Sequence, residues 1–220
     1  MASSAEQLAH ARPVVERCLT WSGLVPLPAF LLLHLASELR LAFATDVSDV
    51  LRATPTLFAK LTSVLLVWLP LVVHVAAASV LLLTRRAPRP LAADVPPTSR
   101  IMSRLSGALS LAFLAYHARA HPVAVWLGRA AAEDAGFRLI AELSSTASGV
   151  PLVGGLYLLG LSATITHASL GVHRGLLAEG LLSNAAKRRA SARLCAATGA
   201  LLFCLGAAAV IRVASGVLLR

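Results

Sequence analysis

The chain has 220 residues, of which 57% are hydrophobic and 14% are charged, and its mean hydropathy is +0.76. Soluble domains carry about 25% charged residues, so this composition excludes an ordinary soluble protein. The net charge of +10 could attract nucleic acid, but in so apolar a chain it is typical of basic loops on the cytoplasmic side of a membrane. We therefore expect the lipid bilayer, and no nucleic acid, as a partner.

Apolar runs of about 20 residues recur, and each is long enough to cross a bilayer about 30 Å thick as a helix. They predict an all-α membrane bundle of five transmembrane helices in a single domain, residues 1–220. Helices I to V are predicted at about residues 19–43, 57–83, 101–127, 150–176 and 192–217. The runs are continuous and rich in Leu and Ala instead of alternating, which favours helices over a β-barrel. The polar N-terminal stretch shows no signal-peptide pattern.

Basic residues are concentrated in two predicted linkers, between helices II and III and between helices IV and V. They are Arg85, Arg86, Arg89, Arg100, Arg174, Lys187, Arg188, Arg189 and Arg193. The loops on the other side mix fewer basic residues with the acids Asp46, Asp49, Glu133, Asp134 and Glu142. The positive-inside rule therefore predicts a cytoplasmic N-terminus and a C-terminus outside.

Four of the seven histidines fall in four successive predicted helices: His34, His74, His117 and His167. A single histidine in a span usually makes an interhelical hydrogen bond, but ionisable groups are costly there and indicate function by default. From the rise of 1.5 Å per residue, His34 and His117 share a level toward the outer face. His74 and His167 share a level toward the cytoplasm. The spacing thus predicts two histidine pairs, stacked across the membrane.

Two imidazoles between apolar helices suit a haem iron better than a bare metal ion. Zinc needs a third or fourth ligand, and neither level offers a carboxylate or a cysteine. A porphyrin brings four nitrogens of its own and is a large apolar disc that suits a helix bundle. Two axial imidazoles leave no open position, which favours electron transfer over oxygen chemistry. We predict two haem b groups, one held by His34 and His117 near the outer face and one held by His74 and His167 near the cytoplasm.

Helices I and III share a local pattern. The segments "SGLVPLPAFLLLH" and "SGALSLAFLAYH" both open with Ser-Gly and reach a histidine about three turns later. Glycine allows a bulky planar group or a backbone to approach closely. The shared glycine is therefore informative, although two short apolar strings can also match by chance.

The haem propionates would need cationic or hydrogen-bonding partners near the helix ends. The candidates by position are Arg17, Ser22, Arg104, Ser106, Arg119, His121, His173 and Arg174. The arginines could instead anchor helix ends at the membrane interface. His173 and Arg174, at the cytoplasmic end, could instead touch a soluble partner.

The segment "HASLG", His167 to Gly171, and the stretch "GVHRGLLAEGLLSNAAKRRASARL" that starts at the same Gly171 carry a resemblance. They resemble the H-x-x-x-G region of succinate dehydrogenase and fumarate reductase cytochrome b subunits. In that family a haem-ligating histidine is followed four residues later by glycine, then by a cytoplasmic turn and a last helix with small residues, here "ATGALLFCLGAAAVI". Helix count, orientation and histidine order resemble the five-helix, dihaem form over nearly the whole chain.

The resemblance implies a membrane anchor for a flavoprotein subunit and an iron–sulfur subunit, in a bacterial cytoplasmic membrane. Those subunits hold the dicarboxylate site, and this chain would carry electrons between their clusters and a quinone, usually menaquinone, that binds near the outer haem. Some relatives carry an acid just before the fourth-helix ligand for transmembrane proton movement, and residues 163–166 here hold none. Acids that could serve the quinone at the outer face are Glu38, Asp46 and Asp49, but the favoured interpretation is that they are solvated loop acids.

Two alternatives remain open at this point. One is a cytochrome b subunit of another membrane oxidoreductase, of the nitrate reductase or hydrogenase type, which would differ in its soluble partner. The other is a haem-free transporter or proton channel with histidine relays, which predicts a colourless protein.

Overall fold

The computed structural model describes residues 4–43, 61–84, 97–131 and 134–215. Within these ranges the chain forms eight helices of five residues or more and no β-strand, and Ala147 and Val150 pair only as an isolated bridge. The helices are α1 Ser4–Leu24, α2 Pro26–Phe43, α3 Leu61–Leu83, α4 Pro97–Ala120, α5 Pro122–Trp126, α6 Ala135–Ser144, α7 Leu152–Ala178 and α8 Ala185–Ala214. Residues Val64–Trp68 of α3 form a π-helical turn.

Four stretches of helix are long and apolar enough to cross a membrane: Ala11–Arg40, Leu61–Leu83, Leu152–Ala178 and Ala185–Ala214. Large apolar side chains are exposed on them, among them Leu33 (73%) and Leu83 (81%), which suits contact with lipid and would be costly in water. The all-α class and the multi-pass membrane character are therefore confirmed. Helix α4, at the predicted third crossing, has 24 residues and includes three arginines. It is not among the four, so five crossings are not confirmed.

The first helix departs most from its predicted range of 19–43. Helix α1 already begins at Ser4, so the N-terminal stretch expected as a polar tail is largely helical. A turn at Val25 then separates α1 from α2. Pro26 has no N–H and fits best in the first turn of a helix, and it starts α2. The helical ladder resumes where the Ala29 N–H donates to the Val25 carbonyl at 3.1 Å.

Prolines also set both ends of α4, which was predicted at 101–127. The helix starts earlier, at Pro97, because a proline fits the first turn of a helix, where no N–H is needed. It ends at Ala120, and His121 leaves the helical region with φ −115° and ψ −85°. Pro122 then begins the short helix α5.

The connection between α7 and α8 is a tight turn instead of the longer linker predicted between residues 176 and 192. Gly180, with φ +72°, ends α7 in the left-handed region that glycine tolerates. The side-chain oxygen of Asn184 accepts the Lys187 N–H at 2.9 Å and caps α8. Several predicted features lie outside the described residues: the ends of helices II and V (57–60, 216–217), Arg85, Arg86, Arg89, Asp46, Asp49 and Glu133.

Helix α7 lies at the centre of the bundle, where it contacts α1, α4 and α8. One buried cluster joins α2, α6, α7 and α8 through Ala42, Ile140, Leu143, Tyr157, Ala209 and Val213. A second cluster joins α2 and α7 through Leu35, Leu161 and Ile165. This packing leaves a cavity among α1, α2, α3, α4 and α7, and the histidines lie around it.

Candidate functional site

The four histidines of the predicted crossings lie in two pairs. The rings of His34 (α2) and His117 (α4) have their centroids 5.9 Å apart and their planes at 59°. The rings of His74 (α3) and His167 (α7) have their centroids 6.0 Å apart and their planes at 82°. We call these the 34/117 pair and the 74/167 pair. The depth argument from sequence gives the same partners.

In the 74/167 pair, both Nδ1 atoms face a backbone carbonyl. His74 Nδ1 lies 3.2 Å from the Leu19 oxygen, and His167 Nδ1 lies 3.1 Å from the Ser103 oxygen. Because a carbonyl can only accept, each Nδ1 carries the hydrogen, and each Nε2 keeps a free lone pair. The Ser22 hydroxyl is a second neighbour of His74 Nδ1, at 3.2 Å.

Two glycines make room for these rings. A Cβ added at Gly23 would lie 2.6 Å from Cε1 and 3.0 Å from Nδ1 of His74. A Cβ added at Gly107 would lie 2.8 Å and 3.0 Å from the same atoms of His167. Each imidazole therefore lies against the backbone of the neighbouring helix, which is the close approach that the repeated Ser-Gly indicates.

In the 34/117 pair, a phenylalanine one turn earlier stacks on each ring. Phe30 and His34 have centroids 5.3 Å apart with planes at 11°, and Phe113 and His117 have centroids 5.8 Å apart with planes at 23°. Phe113 in turn packs on Gly160 of α7, where an added Cβ would overlap its ring. The rings of His34 and His117 are thus oriented by equivalent aromatic contacts.

Side chains, instead of backbone carbonyls, meet the Nδ1 atoms of this second pair. His34 Nδ1 lies 3.7 Å from a Glu38 carboxylate oxygen, which is too long for a hydrogen bond. His117 Nδ1 lies 3.2 Å from the Tyr157 hydroxyl. The histidine pairs therefore differ in what lies behind their rings.

The Tyr157 hydroxyl begins a polar cluster that continues to the protein surface. It lies 2.8 Å from His121 Nε2, which is 3.4 Å from a carboxylate oxygen of Glu142. The other carboxylate oxygen of Glu142 accepts the Tyr116 hydroxyl. Tyr157 and His121 are buried and Glu142 is partly exposed, so the cluster leads from a ligand-like histidine to solvent.

Both histidine pairs line one cavity of about 1920 Å³. Pockets for drug-sized ligands have volumes of about 300–1,000 Å³, so this cavity has room for more than one large group. Of the six histidines whose side chains the structure describes, only His173 is not among the lining residues. Its Nδ1 lies 3.0 Å from the Ser191 hydroxyl on α8.

The predicted propionate partners divide into two groups. Those that line the cavity are Arg17, Arg104, His121 and Arg174. The others have different neighbours where the structure records a contact: Ser22 contacts His74, Ser106 donates to the Ser103 carbonyl at 3.3 Å, and His173 contacts Ser191. Arg119 is near Tyr116 instead. Among the predicted acids, Glu38 lines the cavity.

Sequence reasoning did not identify Tyr157, Tyr116 or Glu142 as part of this site. The chain has only two tyrosines, and both lie on helices that face a histidine pair. A tyrosine hydroxyl in a predicted span needs a hydrogen-bond partner, and this requirement is the feature of the sequence that could have pointed to Tyr116 and Tyr157. For Glu142, the neighbouring apolar residues at helical spacing indicate that α6 packs on the bundle.

The geometry of each pair fits two axial ligands on one haem iron. An iron atom between two imidazoles lies about 2 Å from each ligating nitrogen, and each nitrogen lies about 1.1 Å from the centroid of its own ring. The two ring centroids are then about 6 Å apart. The centroids are 5.9 Å and 6.0 Å apart. Within the described residues no group of three or more His, Cys, Asp and Glu could hold a metal ion. A porphyrin iron needs only two protein ligands.

No protein-family model, curated protein or solved structure matches the chain.

Proposed function

We propose that the chain is the membrane-anchor cytochrome b subunit of a succinate:quinone oxidoreductase of the succinate dehydrogenase or fumarate reductase type, in a bacterial cytoplasmic membrane. It holds two haem b groups. His74 and His167 are the axial ligands at the inner site, toward the cytoplasm. His34 and His117 are the axial ligands at the outer site. The soluble partners are a flavoprotein and an iron–sulfur subunit, and the electron-exchanging substrate is a quinone, with menaquinone as the first choice.

The observation that carries the proposal is the spacing of the two histidine pairs. Both centroid separations, 5.9 Å and 6.0 Å, agree with an iron between the rings. The Nδ1 atoms of His74 and His167 are turned toward backbone carbonyls, which leaves Nε2 of each ring for the metal. Haem-binding proteins commonly fix the ligand tautomer and orientation in this way.

The charges at the two ends of the cavity support the proposed orientation. Arg17, Arg104 and Arg174 lie beyond the 74/167 pair and line the cavity, and Arg104 and Arg174 are close enough to repel each other. Glu16 and Glu179 line the cavity with these arginines.

At the 34/117 end the acids Glu38 and Glu142 are matched by Arg119 and Arg138, so the basic excess is larger at the 74/167 end. Basic residues prefer the cytoplasmic side, so the inner site faces the proposed iron–sulfur partner. The arginines at the 74/167 end are the cations that inner-haem propionates need.

Helix α4 would be the fifth crossing in this proposal. Its length of 24 residues corresponds to about 36 Å. Two of its serines, Ser106 and Ser110, are buried, so part of its polarity faces the bundle instead of lipid. His117 projects from it toward His34 on α2, which requires α4 to reach the same depth as α2.

The haems, when bound, supply reversible one-electron chemistry. The chain contributes ligands, fixed spacing and an apolar surround. Two imidazoles per haem would leave no open position for oxygen. The substrate oxidation step belongs to the soluble partners.

The first test is the haem content of the purified full chain in detergent. We expect b-type bands in the reduced visible spectrum and two haems per chain by extraction and quantification. A colourless preparation, from cells that are supplied with haem and also after co-expression with its partner subunits, would overturn the proposal and favour the transporter alternative.

A further inference from the structure

The two histidine pairs have different hydrogen-bond partners, and this difference can give the two proposed haems different reduction potentials. Behind the 74/167 pair the two Nδ1 atoms meet backbone carbonyls, which no substitution removes. Behind His117 the neighbour of Nδ1 is the Tyr157 hydroxyl, at 3.2 Å. This contact depends on one side-chain oxygen atom.

Tyr157 occupies a restricted position. It is 7% exposed and is held by edge-on contacts with Phe113 and Tyr116, with ring centroids 5.2 Å and 6.3 Å apart. Its hydroxyl lies between His117 Nδ1 at 3.2 Å and His121 Nε2 at 2.8 Å. The ring is therefore fixed by packing, and the oxygen is fixed by two imidazoles.

Behind this hydroxyl the cluster continues to solvent through His121 and Glu142. His121 Nε2 lies 3.4 Å from the Glu142 carboxylate, and the Glu142 side chain is 27% exposed. While its oxygen accepts from His117, the Tyr157 hydroxyl can donate its own hydrogen to His121 Nε2, and hydrogen bonds in series polarise one another. A phenol oxygen whose hydrogen is bonded to an imidazole is a better acceptor for a ligand N–H than an isolated phenol. The Glu142 carboxylate adds negative charge nearby but no further hydrogen bond to this series.

We propose that Tyr157 is a positioning residue for His117 and that it holds down the reduction potential of the outer haem without affecting the inner one. The inference rests on the proposed function. Accepting the Nδ1–H hydrogen makes the imidazole a more basic ligand, which favours the ferric iron that carries more positive charge. The negative charge of Glu142 contributes in the same direction, because it also favours the more positive ferric iron.

The test is a spectroelectrochemical titration of the purified full chain, in which both haem midpoints are resolved. Tyr157→Phe removes the oxygen and keeps the ring, so both haems should remain bound. We expect the outer haem to become easier to reduce by a factor of about three to ten in equilibrium constant, where a factor of ten is 59 mV for one electron. The inner midpoint should not move. His74→Ala, which is expected to retain only the outer haem, identifies which midpoint is which.

Two further variants make the test specific. Tyr116→Phe removes the same kind of hydroxyl from the same cluster, but this hydroxyl contacts Glu142 and no paired histidine, so the outer midpoint should stay closer to the wild-type value than in Tyr157→Phe. Glu142→Gln changes a partly exposed side chain outside the bundle core, and it should shift the outer midpoint in the same direction by a smaller factor.

The outcomes separate this inference from the function on which it rests. A wild-type chain without haem would overturn both. Two bound haems with an unmoved outer midpoint in Tyr157→Phe would overturn the inference alone. Equal shifts of both midpoints would also overturn it, because they would indicate a general change in the bundle.

Discussion

His74→Ala is expected to bind one haem per chain where the wild type binds two. The substitution removes one of two imidazoles whose centroids are 6.0 Å apart, so an inner haem would keep only His167 and leave a cavity in place of the second ring. Loss of a residue that only hydrogen-bonds to a metal ligand typically lowers metal affinity 10–100-fold, and loss of the ligand itself should lower it more. The outer site uses different helices and should remain filled. The measurement is haem per chain, with the reduced spectrum.

Two companions make the result specific. His34→Ala should also bind one haem, and the two single variants should differ in the midpoint of the haem they retain. His173→Ala is the matched control, since this histidine contacts Ser191 and does not line the cavity, and it should keep two. Two haems in His74→Ala would contradict the ligand assignment.

Gly23→Ala should weaken the inner haem although it changes no ligand. The added Cβ would lie 2.6 Å from Cε1 of His74, well inside van der Waals contact, and the ring is already held by the Leu19 carbonyl at 3.2 Å. The imidazole would have to turn, and its Nε2 would leave the axis of the pair. We expect a loss of at least tenfold in haem affinity at this site. Titrating haem into the haem-depleted protein measures it.

Gly107→Ala should have the same effect through His167, whose Cε1 would lie 2.8 Å from the new carbon. The matched control is Gly155→Ala on α7, where an added Cβ meets nothing within 4 Å. A helical Gly→Ala change in open space is expected to stabilise by about 0.5–1 kcal/mol, so this control should keep both haems. If Gly23→Ala and Gly155→Ala bind haem equally well, the close approach has no role in ligand placement.

The sequence predicts which histidines are paired because two general rules determine the depth of each histidine in the membrane. Consecutive crossings alternate in direction, and each helical residue advances 1.5 Å, so the position of a histidine in its apolar run gives its depth. His34 and His117, and likewise His74 and His167, are side by side in the structure as their depths require. Depth does not give rotation about the helix axis, however. For this reason Tyr157, which must point between His117 and His121, could not be assigned.

The helix boundaries show a second limit of the sequence pattern. An apolar run indicates the part of a helix that lipid or a core covers, and not the polar turns that extend it. Helix α1 therefore begins at Ser4, about four turns before the apolar run. Pro26 and Pro28 are the residues that indicate a break near Val25, and the continuous hydropathy of the run does not show it. The apolar residues at helical spacing indicate that α6 packs on the bundle, but they do not specify that Glu142 contacts Tyr116 and His121.

The repeated contacts around the two pairs also have an evolutionary consequence. Leu19, Gly23, Phe30 and His34 correspond to Ser103, Gly107, Phe113 and His117. The next helix long enough to cross a membrane after each set supplies His74 or His167. Each histidine pair thus joins a residue to its own counterpart in the other half of the chain. Two copies related by a two-fold axis would meet in the same way. A fused pair of ancestral helical hairpins, which once met as identical copies, would have this arrangement, and α8 would be a later addition. The extra residue between Gly23 and Phe30 would be an insertion, accommodated where the chain turns at Val25.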